Sequence, residues 1–118
     1  MIQPNKDCPP KVYIVRRDGQ KDLKFNGWLL GSVDNSGEKA KRWRHLQVHK
    51  SEGGSLVASE GRHTNYDGEV NRYRAIVIHT HLPNKDTPSK TITDFFGRDG
   101  LAKELYDLIN VQDYIVIK

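Results

Sequence analysis

A chain of 118 residues with 36% hydrophobic and 29% charged residues has the size of one ordinary domain. It carries enough apolar material to bury a core without staples, covering about 65% of its unfolded surface. The net charge of +4 and pI near 9.2 admit an acidic partner, nucleic acid or protein, without selecting one. The single cysteine, Cys8, excludes an internal disulfide. The opening residues show no signal-peptide pattern, and no apolar run approaches the roughly 18 residues of a membrane span, so a reducing, cytoplasmic setting and no membrane partner are expected.

Residues 1–10 (MIQPNKDCPP) read as a flexible arm, and 11–118 as one domain. Lys11–Arg17, rich in β-branched and aromatic residues, predicts a strand, with a turn at Asp18-Gly19. Leu23–Val33 predicts a second strand, in which Gly27 and Gly31 suggest bulges or sharp bends. A polar loop (34–41) leads to a third strand, Trp43–Lys50. The turn Ser51-Glu52-Gly53-Gly54 and a returning strand, Ser55–Gly61, complete a hairpin. A turn region follows at His63–Gly68, then a long strand at Val70–His81.

Residues 82–91, with two prolines, read as a loop. Thr93 and Asp99 both look like helix N-caps, and Asn110 like a C-terminal cap. Leu101, Ala102, Leu105, Leu108 and Ile109 form a helical apolar stripe. Tyr114–Ile117 reads as a last strand. The sum is an α+β domain: a mostly antiparallel five- to six-stranded sheet with one amphipathic helix near the C-terminus. An exposed edge strand, the first or the last, could pair with its copy in a homodimer.

His45 and His49 share a strand face but lie about 13 Å apart along it, too far to grip one metal. His79 and His81 do share a neighbourhood and come nearest to a metal site, yet no third ligand is marked by spacing, so no cofactor is expected. The same pair would anchor a small histidine-dependent phosphoesterase, whose second motif is missing. Glu52, Glu60, Asp67 and Glu69 have no general acid–base spacing, and the chain shows no phosphate loop or catalytic triad. The expectation is a protein that is not an enzyme.

The stronger constellation is basic. Arg42 and Arg44 lead into the third strand, and Arg62, Arg72 and Arg74 sit on the strands expected beside it. Trp43 and Tyr73 lie among them. If those strands are neighbours, the residues make a basic, aromatic-dotted face that can hold phosphates and stack bases. It can equally grip an acidic groove on a protein. Glu60, Asp67 and Glu69 are close enough to dilute its field.

From Arg42 to Leu108 the order Arg42-Trp43, Glu52-Gly53-Gly54, Thr64 with Gly68-Glu69, Phe95-Phe96-Gly97 and Leu101–Tyr106 (LAKELY) resembles small prokaryotic proteins of unknown function carried by phage and mobile elements. The resemblance implies a bacterial host cytoplasm and no catalytic residues. It favours a binding protein acting by protein–protein contact, such as a counter-defence inhibitor of the anti-CRISPR kind that blocks a host protein or ribonucleoprotein complex. A nucleic-acid-binding module using the basic face is the alternative.

Overall fold

The computed structural model describes residues 2–4, 7–37, 39–80, 88–113, 115 and 117. Five strands follow one another: β1 (Lys11–Val15), β2 (Leu23–Asp34), β3 (Arg42–Ser51), β4 (Leu56–Thr64) and β5 (Arg72–Ile78). They form one antiparallel sheet in sequence order, β1-β2-β3-β4-β5. Short connections and alternating side chains make this simple meander the direct product of the sequence pattern. Two helices come last, α1 (Pro88–Phe96) and α2 (Gly100–Ile109). The α+β class with a mostly antiparallel sheet is therefore correct.

Strand alternation sorts the sheet into two faces. One face carries Leu46 and Val48 of β3, Leu56 and Ala58 of β4 and Ile76 and Ile78 of β5. They pack against Ile92 and Phe96 of α1 and Leu101, Ala102, Leu105, Tyr106 and Ile109 of α2. Leu46, Val48, Ile92, Leu105 and Ile109 are the largest fully buried side chains. At about 25 cal/mol per Å² of apolar surface, this layer is the main source of stability. Helix α2 lies directly on β2, because a Cβ on Gly31 would stand 2.4 Å from Ile109 Cγ2. The register slips between Leu29 and Gly31, so β2 does carry a bulge where the glycines suggested one.

The other face is concave. Val15 of β1 packs with Val57 of β4 and Ala75 of β5, joined by Leu23 and Phe25, although β1 and β5 are opposite edges of the sheet. The curl is fastened just beyond β1: Asp18 N–H donates to the Tyr73 carbonyl (2.9 Å) and the Asp18 carboxylate accepts from Tyr73 N–H (2.8 Å). The sheet is thus half of a barrel.

Several local expectations change. Residues 88–91 belong to α1 rather than to a loop, since Pro88 stands at the first helical position, where its missing N–H costs nothing. Thr93 is not a cap but a buried residue inside α1, its hydroxyl donating to the Lys90 carbonyl at 3.0 Å. Asp99 does cap α2, accepting from Ala102 N–H at 2.9 Å, and Asn110 closes it in the left-handed conformation. Of the expected last strand, Tyr114 and Val116 lie outside the described residues, and Ile115 and Ile117 are in no strand. In the arm, Ile2 N–H donates to the Ile109 carbonyl and Trp28 Nε1 donates to the Cys8 carbonyl. Among the described residues no helix is long and apolar enough to cross a membrane.

Candidate nucleic-acid interface

The face that packs on the helices does not end where the helices end. Continuing each strand by alternation, Leu46 is followed by Arg44 and Arg42, Ala58 by Glu60 and Arg62, and Ile76 by Arg74 and Arg72. Arg44 is paired with Arg62, Arg62 with Arg72, and Glu60 with both Leu46 and Arg74. The arginines are therefore the uncovered end of the core face. They line an open cleft of about 800 Å³ together with Trp43, Thr64, Glu69, Phe96 and Asp99.

Glu60 organises this end. Its side chain is 1% exposed, a position that a carboxylate tolerates only when paired and hydrogen-bonded. Arg44 donates to Glu60 Oε2 from Nε (2.8 Å) and Nη2 (2.5 Å), and Arg74 Nε donates to Oε1 at 2.7 Å. Arg62 Nε reaches Oε1 at 3.3 Å. Burial pushes the Glu60 carboxyl up, but the hydrogen bonds from Arg74 and Arg44 and their charges outweigh it and hold the group below its usual range. Arg44 also binds the Asp99 carboxylate at the start of α2, and Arg74 donates to the Phe95 carbonyl and stacks 4.1 Å over the Phe95 ring. At the rim, Arg42 donates to both oxygens of Glu69. Those bonds, with one from Thr64, hold Glu69 down at about 2.

Arg72 makes no ion pair among the described residues. The cleft thus presents five guanidinium groups against Glu60, Glu69 and Asp99. Its positive excess is small, but its donors are held in place. A guanidinium fixed through Nε still offers Nη donors outward, in the fork that matches phosphate or carboxylate oxygens.

Of the seven residues marked in the sequence, Arg42, Trp43, Arg44, Arg62, Arg72 and Arg74 meet in this cleft, and Tyr73 does not. Tyr73 alternates onto the concave face, where Arg16 lies 4.4 Å over its ring. There it meets His63 edge-on at 5.7 Å, and His63 stacks on Trp43 at 5.4 Å. His63 falls within the expected turn region, but β4 runs on to Thr64 and carries it into this row of rings. Asp67 does not line the cleft. The residue that sequence reasoning undervalued is Glu60. Its signal was present, a carboxylate in phase with Leu56 and Ala58 on an apolar strand face.

His45 and His49 do share the concave face. His49 is 2% exposed and packs against Tyr13 and Phe25. Burial, with a smaller push from the His45 charge, lowers its pKa to about 4. His79 is exposed beyond β5 with Nδ1 3.5 Å from the Ser55 hydroxyl, and His81 lies outside the described residues. Among the described residues no three His, Cys, Asp or Glu side chains gather where they could hold a metal.

Compared with family models, with curated proteins and with solved structures, the chain returns no match. The functional reading therefore rests on geometry.

Proposed function

We propose that the protein is a non-enzymatic binding module that takes a nucleic acid backbone in its arginine cleft. The observation that carries this reading is the convergence of Arg42, Arg44, Arg62, Arg72 and Arg74 with Trp43 on one open cleft. Phosphate contacts of this kind supply affinity without sequence preference and weaken as salt rises. Because three carboxylates share the cleft, the salt dependence is shallow, with a slope of about 2 in log K against log salt.

A mobility-shift series with DNA and RNA at rising salt tests the proposal. Binding at low salt that fades as salt rises supports it, and absence of binding at the lowest salt overturns it. The doubly reversed variant Arg62→Glu with Arg72→Glu is expected to lose at least tenfold in affinity. Both side chains are exposed; Arg72→Glu should change stability by no more than about 0.5 kcal/mol, and Arg62→Glu, which also loses its contact to Glu60, should cost more.

A protein partner is the second reading, as for an inhibitor that docks on a host complex. The observation favouring it is that four of the five guanidinium groups are already held by carboxylates. Such a fixed array suits the carboxylates of an acidic surface as well as phosphates. A stoichiometric complex with a host protein, lost in the same double variant, would support it.

A further inference from the structure

A second cavity, of about 280 Å³, lies inside the curl of the sheet. Tyr13, Ile14 and Val15 of β1 and the following Arg16 line it, so it runs along the free edge of that strand and faces Tyr73 of β5. Flat rings border it: Tyr13, His49, His63 and Tyr73. Its polar lining is not satisfied from within the protein. His49 Nδ1 is buried without a hydrogen-bond partner. The Ser59 hydroxyl and the Gln47 side-chain oxygen also meet no partner among the described residues. Gln47 uses only its amide nitrogen, 3.4 Å from the Ser32 hydroxyl, which also meets His45 Nε2 at 2.6 Å.

A buried polar atom left unpaired costs about 1–3 kcal/mol, and His49 Nδ1 is such an atom at the wall of this ring-lined cavity, so a ligand that supplies its missing bond is favoured there. A neutral imidazole offers one donor and one bare acceptor, and His49 is neutral at physiological pH. Flat walls with mixed donors and acceptors at the edges suit a planar heterocycle. The cavity is also contiguous with the arginine cleft, because His63 lines both and Arg62 and Arg72 flank Tyr73 at the mouth between them.

Resting on the nucleic-acid reading, we infer that the ligand is single-stranded, with its phosphates on Arg62 and Arg72 and one unpaired base turned into the cavity that Tyr13, His63 and Tyr73 border. A duplex keeps its bases stacked and cannot deliver one without paying for unstacking. Stacking on protein rings is worth about 1–3 kcal/mol per base and is open to any base. Selection among bases would fall to the polar groups Gln47, Ser59 and His49.

The test uses the full chain and end-labelled oligo-dT, oligo-rU, an abasic oligomer with the same number of phosphates and a duplex, each of about 16 nucleotides. The expected result is that oligo-dT or oligo-rU binds at least tenfold more tightly than the abasic oligomer and the duplex; the stronger of the two tells DNA from RNA. In the Trp28→Phe variant, Trp43 is the one remaining tryptophan, and its emission should change more with the base-bearing oligomers than with the abasic one. Tyr73→Leu, which keeps apolar volume but removes the ring, should erase the preference and leave abasic binding unchanged. Equal affinity for all four probes overturns the base-in-cavity inference while leaving the cleft's phosphate binding intact. No binding to any of them at low salt overturns the nucleic-acid reading itself. Binding to polyglutamate but to no oligonucleotide overturns both in favour of an acidic protein partner.

Discussion

Leu46 and Glu60 are direct partners on β3 and β4, and between them one face of the sheet changes character. Below them, α1 and α2 cover Val48, Leu56, Ala58, Ile76 and Ile78. Above them, the same strands and the same alternation carry arginines that the helices touch only at their ends, through Phe95 and Asp99. The helical pair is too short to cover the whole face. The uncovered part is closed by charge pairing around one buried carboxylate, which leaves guanidinium donors outside. Burial of apolar area drives the covered half, and geometry alone makes the charged half stable, since a buried ion pair repays its desolvation only when well paired.

The sharpest way to break this contrast is to cut each side of the border. Leu46→Ala removes a side chain that is 0% exposed and should cost about 2–5 kcal/mol in urea unfolding. Glu60→Gln should cost somewhat less, about 2–4 kcal/mol, because it strips the countercharge from Arg44, which is 22% exposed. If Glu60→Gln is neutral, the carboxylate is not the organiser of the cleft. If instead it is stable but anion affinity rises, Glu60 serves only to restrain the arginines.

His49 sharpens the contrast from the concave side. Its folded pKa of about 4 lies below the ordinary 6.5, so the unfolded chain binds a proton that the folded chain refuses. Stability should be full above pH 6.5 and fall as the pH drops from 6.5 toward 4, by on the order of 3 kcal/mol. The buried carboxylate of Glu60 and the exposed Glu69 act lower, below about 4.5, where their depressed values begin to matter. Denaturant midpoints between pH 7 and 5 therefore isolate the histidine. In His49→Phe that slope should flatten, and an unchanged slope would assign it elsewhere.

Much of the fold was legible because its signals are local. The turns at Gly19 and Gly54, where positive φ is needed, and the period-two strands between them set a meander in chain order. Asp99 and Asn110 bracket α2 within one residue of where they stand. Helix α1 was not legible: Thr93 read as a cap, and the two prolines suggested a loop. A proline at the first helical position looks, in sequence, like any other loop proline.

By itself the sequence determined the class of fold and, on the condition that the third to fifth strands are neighbours, the grouping of Arg42, Arg44, Arg62, Arg72 and Arg74, because alternation fixes which residues share a strand face. Tertiary structure alone decided the rest. How far the helices extend over the sheet decides where core ends and cleft begins. The bulge before Gly31 and the clasp of Asp18 on Tyr73 curl the sheet, and that curl turns His49, His63 and Tyr73 from a wet sheet face into the walls of a cavity. Curvature is a sum over many residues and two distant edges, and no single segment of the sequence encodes it.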